Sequence, residues 1–212
     1  MRLAIAVVAL FVASCAGTPP QPDWQVAAHA SLKAFESAYL AGQSRAAEAE
    51  FARARASLAA TGRAELVARA ELTRCAARVA SLDFDACPGF EALAADAPAA
   101  ERAYAAYLAG RAAAEDIALL PGHHRAVAAG SAAALGAMAD PFARLVAAGV
   151  LVRTGQAQPE TVTLAVQTAS AHGWRRPLLA WLGVAKKRAE AAGDREGAAA
   201  LERRMRLVAG ES

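Results

Sequence analysis

Apolar residues recur at helical spacing along most of the chain, and glycine or proline interrupts each run. In the first long run, Ala28, Leu32, Phe35 and Tyr39 share one helical face. Asp23, Ser44 and Asp140 precede runs as predicted N-caps, and Pro141 takes a first helical position. The runs predict helices over 24–41, 44–61, 63–82, 90–95, 98–109, 112–120, 123–138, 141–154, 159–172, 177–192 and 194–208.

The composition favours helices over strands. Alanine dominates the chain, whereas β-branched and aromatic residues are sparse. The predicted connections are short, which favours antiparallel packing of neighbouring helices. We therefore expect an all-α fold built from stacked antiparallel helical hairpins.

The amino terminus has the order of a secretory signal. Arg2 supplies a positive start, residues 3–13 are uncharged and apolar, and small residues precede Cys15. Eleven helical residues span only about 16 Å, too short for a ~30 Å hydrocarbon core. We expect a signal peptide at 1–14, a tether at 15–22 containing three prolines, and a helical periplasmic domain at 23–212.

Val12, Ala13, Ser14 and Cys15 form a tetrad that resembles the lipobox of bacterial lipoproteins. The resemblance covers the first seventeen residues and implies acylation of Cys15. Ala16 follows the cysteine, and in lipoproteins of this kind the absence of aspartate there implies the outer membrane. The alternative is an ordinary secreted protein in which Cys15 is a free thiol.

The stretch from Tyr39 to Ala47, followed by Phe51 and Ala54, resembles the turn and second helix of a tetratricopeptide repeat. Gly193 and Asp194, with Ala198, form a fainter second match. The tryptophan and leucine-glycine pattern of that family's first helix is missing. The resemblance implies a short tetratricopeptide-like solenoid, with a helical bundle as the alternative, and a concave protein-binding surface.

Cys75 and Cys87 remain as a pair once Cys15 is acylated. An even number of cysteines in an oxidising periplasm predicts a disulfide, and the intervening chain is long enough to return from the end of the third helix. Two free or metal-binding thiols are the alternative.

Familiar catalytic motifs are absent from the sequence: it contains no nucleophile elbow, phosphate-binding loop, dinucleotide fingerprint or zinc-protease motif. Glu36 and Ser37 resemble the glutamate-serine pair of lytic transglycosylases, but that family's accompanying motifs are missing. His123 and His124 diverge by about 100 degrees on a helix, so we expect capping or surface roles rather than metal binding. No cofactor or metal is predicted.

The formal charge of +3 is too small to predict a nucleic-acid partner. Basic residues concentrate near the carboxyl terminus, where they suit an acidic partner, anionic lipid or a solvated helical face. These residues are Arg175, Arg176, Lys186, Lys187, Arg188, Arg203, Arg204 and Arg206.

These patterns together predict a noncatalytic outer-membrane lipoprotein that faces the periplasm. We expect it to contact the membrane through Cys15 and to hold another envelope protein on its helical surface. The alternatives are a cell-wall hydrolase or its accessory, and a protein that binds a small ligand or lipid between its helices.

Overall fold

The computed structural model describes residues 22–211, and within that range the chain is helical with no strand. The all-α prediction is therefore confirmed. The predicted signal peptide, Cys15 and most of the tether lie outside the described residues. The eleven α-helices are α1 Asp23–Leu40, α2 Ser44–Ala59, α3 Ala64–Ala80, α4 Pro88–Glu91, α5 Ala99–Leu108, α6 Gly122–Ala128, α7 Ala134–Ala137, α8 Pro141–Arg153, α9 Pro159–Ala171, α10 Arg175–Ala191 and α11 Arg195–Ala209.

Short turns join α1 to α2 and α10 to α11, and in each case the two helices pack against one another. Gly42 and Gly193 adopt positive φ in these turns, which glycine accepts without strain. Helix α9 packs between α8 and α10. Most helices therefore pack against the helix that precedes or follows them in the sequence.

Helix α3 departs from that order because it packs against α8, far along the chain. A β carbon on Gly149 of α8 would lie 2.3 Å from the carbonyl oxygen of Val79 in α3. The absence of a side chain therefore permits this close approach. Residues 81–140 lie between the two helices in sequence and contain only short helical segments, including a 3₁₀ helix at Ala114–Leu119.

Two apolar clusters share α3. One joins α1, α2 and α3 around Phe35, and the other joins the remaining helices around Leu145 and Trp181. The Trp181 indole is fully buried and donates a hydrogen bond to the carbonyl oxygen of Ala80 at 3.0 Å. This contact fixes α10 at the carboxyl end of α3.

Several local predictions are wrong. The single helix expected over 123–138 divides into α6 and α7, because Gly130 adopts a φ of +95° after α6. Leu82 lies in a loop beyond α3. Asp23 and Ser44 are the first residues of their helices and cap neither of them. Asp140 is a true cap, since its carboxylate accepts bonds from two first-turn amides.

Candidate binding site

A pocket opens where the α1–α2 turn, the end of α3 and the start of α10 meet. Its main cavity has a volume of about 540 Å³, and an adjoining cavity has about 180 Å³. We call it the arginine pocket. Its lining residues are Tyr39, Gly42, Ser44, Glu48, Arg74, Arg78, Ser81, Asp83, Arg175, Arg176, Leu179 and Ala180.

Arg176 connects the start of α10 with the α1–α2 turn. Its Nε donates to the carbonyl oxygen of Tyr39 at 2.8 Å, and one Nη donates to the Ser44 hydroxyl at 2.7 Å. Its guanidinium carbon lies 4.3 Å from the centre of the Tyr39 ring, a cation–π distance. Burial raises the pKa of Tyr39 although Arg176 opposes this shift, so the phenol is neutral. These contacts hold Arg176 in a fixed orientation at the pocket.

Two further arginines enter the pocket from α3. Arg74 pairs with Glu48 of α2 at 3.0 Å, and Arg78 pairs with Asp83 of the following loop at 3.0 Å. Four arginines and two acidic residues line the pocket, and Asp85 also pairs with Arg78 at 2.8 Å, so the formal excess is one positive charge.

The amino termini of α2 and α10 both lie at the arginine pocket. Neither helix has an acidic residue in its first turn, and neither is capped by a side chain. A helix N-terminus bears a partial positive charge and unpaired amides, so arginines there are electrostatically unfavourable without an anion. Arg175 and Arg176 occupy the first two positions of α10, where Arg175 donates to the carbonyl oxygen of Ala209 and Arg176 to that of Tyr39, each at the carboxyl end of another helix.

In the part of the chain that the structure describes, the side chain of Ser81 lacks a hydrogen-bond partner. The residue is only 7% exposed, and its hydroxyl oxygen is buried with no hydrogen-bond partner among the described residues. A buried unpaired hydroxyl is unfavourable by about 1–3 kcal/mol. Ser81 is one of the residues that line the pocket.

A disulfide closes the chain segment that contributes Ser81 and Asp83 to this pocket. The Cα atoms of Cys75 and Cys87 are 5.8 Å apart, within the range of a disulfide, as the sequence predicts. The pair closes the loop that carries Ser81 and Asp83. Leu82 and Cys87 have φ values of 57° and 54°, which non-glycine residues rarely adopt. The covalent closure holds this loop at the pocket wall.

The predicted surface role is wrong for His124, which is 1% exposed. Its ring packs against Tyr104 and Tyr107, and its Nδ1 lies 3.4 Å from the Tyr107 hydroxyl. Burial, with a smaller effect from His123, lowers the pKa of His124 to about 3. The ring is therefore neutral and structural, while His123 is exposed as predicted.

His172 ends α9 as its C-cap, in agreement with the predicted helix end, and stacks on Trp174 at 4.7 Å. Among the described residues, no cluster of histidine, cysteine or acidic side chains could hold a metal ion.

Glu36 lies partly buried on α1, while the neighbouring Ser37 is exposed. Burial, and secondarily the charge of Asp140, raises the pKa of the Glu36 carboxyl. Glu36 does not line the arginine pocket. The glutamate-serine pair therefore does not coincide with the candidate binding site.

The basic carboxyl-terminal residues have different partners. Arg175 and Arg176 line the pocket, and Arg175 also donates to the carbonyl oxygen of Ala209. Lys186 pairs with Glu202, Arg188 bonds the carbonyl oxygen of Ala157, and Arg204 reaches Ser170.

Comparison of the chain with protein-family models, with curated proteins and with solved structures gave no match. No helix within residues 22–211 has the length and apolar character needed to span a membrane.

Sequence reasoning did not predict the arginine pocket. Arg176 and Ser44 are 132 positions apart, and no local spacing relates them. One signal was present: two consecutive arginines directly before Pro177 mark a helix start with the wrong charge for its dipole.

Proposed function

We propose that the protein is a noncatalytic, lipid-anchored adaptor that holds another envelope protein on the periplasmic side of the outer membrane. The observation that carries the proposal is the arginine pocket, in which two helix N-termini and the oriented guanidinium group of Arg176 meet. The lipobox-like tetrad that ends at Cys15 supports the anchor.

The position of the pocket within the helical domain favours a partner in the periplasm. The tether enters α1 at Asp23, whereas the pocket lies beyond the other end of that helix, at Gly42. A helix of 18 residues is about 27 Å long at ~1.5 Å per residue. The pocket is therefore separated from Asp23, where the domain begins, by the length of α1.

Photo-crosslinking in intact cells tests the adaptor. A photoreactive amino acid replaces Leu179 on the pocket wall or, as a control, Leu207 of α11, which is 79% exposed. The proposal predicts a discrete adduct with one envelope protein from position 179 and none of the same mass from position 207. Substitution Arg176→Gln should remove the adduct.

Arg195→Gln is the matched control in that experiment. Arg195 is the first residue of α11 and is exposed, so its substitution removes one charge from a helix start outside the pocket. Loss of the adduct in both variants would indicate a general charge effect, and absence of any adduct at position 179 would contradict the adaptor.

A cell-wall hydrolase is the second candidate, and the partly buried Glu36 carboxyl favours it because a raised pKa suits a general acid. Incubation of the purified chain with peptidoglycan tests this reaction. Soluble fragments that disappear with Glu36→Gln would establish the hydrolase and refute the noncatalytic proposal.

A further inference from the structure

We propose that the arginine pocket recognises a carboxylate group of the partner polypeptide. The inference rests on the adaptor proposed above and specifies the chemistry of its binding site. It joins three features of the fold: the paired N-termini of α2 and α10, the oriented guanidinium of Arg176, and the buried hydroxyl of Ser81.

The three features all donate hydrogen bonds or carry positive charge. First-turn amides of α2 and α10 lack acceptors within their helices, and an anion at a helix N-terminus satisfies such groups. Arg176 is already fixed by Tyr39 and Ser44, so little side-chain freedom is lost when it binds. The Ser81 hydroxyl adds a neutral donor. The pocket is therefore complementary to an oxyanion.

The remaining charges favour a carboxylate over a phosphate. Arg74 and Arg78 already bind carboxylates, those of Glu48 and Asp83, which lie within the pocket and repel a second anion. A singly charged carboxylate experiences less of this repulsion than a phosphate dianion.

The apolar part of the pocket suits a polypeptide. Leu179, Ala180 and the Tyr39 ring line the same cavity as Arg175 and Arg176. A polypeptide carboxylate is accompanied by a carbon chain that packs on such a wall. The carboxylate has two sources, a chain terminus or an acidic side chain, and the experiment separates them.

Nuclear magnetic resonance titration of the mature chain, residues 15–212 carrying Cys15→Ala, provides the test. The probes are sodium acetate, sodium phosphate and sodium chloride at equal ionic strength. We expect acetate to shift the backbone amides of Gly42, Arg45, Arg175 and Arg176 in a saturable manner, with weaker effects from the other two. Equal shifts with chloride, or saturation by phosphate at a lower concentration than acetate, would overturn the proposal.

Two peptides identify the source of the carboxylate. Acetyl-Gly-Gly-Leu with a free carboxyl terminus represents a chain end, and acetyl-Gly-Asp-Gly-amide represents an acidic side chain. The peptide that binds more tightly than acetate identifies the source of the carboxylate as a chain terminus or an acidic side chain. If neither exceeds acetate, the polypeptide assignment is wrong.

Variants locate the binding. Arg176→Gln should weaken acetate binding by about tenfold or more, since a charge-assisted hydrogen bond is lost, whereas the matched control Arg195→Gln should leave it unchanged. Ser81→Ala is the second variant, because it removes only a hydroxyl without a protein partner and should preserve the fold. Unchanged affinity in a folded Ser81→Ala protein would refute the role of that hydroxyl and, with it, the site as proposed.

The outcome is separable from that of the adaptor test. Acetate binding needs neither anchor nor partner, so an adduct at position 179 without carboxylate binding would refute this inference while the adaptor stands.

Discussion

Reduction of the disulfide between Cys75 and Cys87 should lower the stability of the whole domain. The two residues are 12 positions apart, and a bridge that closes a loop of this size removes chain entropy worth about 3 kcal/mol from the unfolded state. For a domain of this size, 1 kcal/mol corresponds to roughly 2–4 °C in Tm, so we expect a decrease of about 6–12 °C on reduction.

Thermal and urea denaturation followed by circular dichroism, with and without a thiol reductant, provides the assay. The double variant Cys75→Ala/Cys87→Ala should resemble the reduced protein and should not respond to the reductant. If the oxidised and the reduced wild type unfold at the same temperature and urea concentration, the disulfide does not stabilise the domain and the loop at 81–87 is held without covalent closure.

Three further predictions concern single positions. Asp140→Ala removes the N-cap of α8 and should reduce the free energy of unfolding by about 1 kcal/mol in urea titration. Gly149→Ala forces a β carbon against the Val79 carbonyl and should destabilise by about 1–3 kcal/mol, whereas Gly136→Ala, which meets nothing within 4 Å, should be tolerated when both melting curves are compared. Burial lowers the pKa of His124 to about 3, so the folded protein binds that proton far less readily than the unfolded chain. The free energy of unfolding should therefore be highest above pH ~6.5 and should decrease by up to about 1.4 kcal/mol per pH unit below that pH. In urea titrations between pH 7 and 5, His124→Phe should reduce this pH dependence.

The sequence predicts helices and their starts well where local chemistry decides them. Asp140 and Pro141 predict one helix start, because an aspartate can cap the helix and a proline fixes a helical φ. In the structure, the Asp140 carboxylate accepts hydrogen bonds from two amides of the first turn. Gly42 permits the turn after α1 through its positive φ. The pairing of Cys75 with Cys87 was predictable because these two cysteines remain once Cys15 is assigned to the anchor.

Local patterns failed where distant contacts decide the outcome. An alanine-rich run around Gly130 is compatible with one helix or two, and the packing of α6 and α7 against α8 accompanies the break. His124 resembles a surface residue in sequence, yet the rings of Tyr104 and Tyr107 cover it.

Ser44 illustrates the same limit at the candidate site. Its position favours a helix cap, but its hydroxyl accepts a hydrogen bond from Arg176, a residue of another helix. The pocket is a product of the tertiary packing of α10 against α1 and α3, which no periodicity in the sequence encodes.

The most direct test of the membrane-anchored adaptor is the intact mass of the protein extracted from membranes, measured for wild type and for Cys15→Ala. We expect a wild-type chain that begins at Cys15 and carries added acyl mass, together with loss of that mass and of membrane association in the variant. An unmodified wild-type chain would contradict the anchor and, with it, the assignment of the protein to the outer membrane.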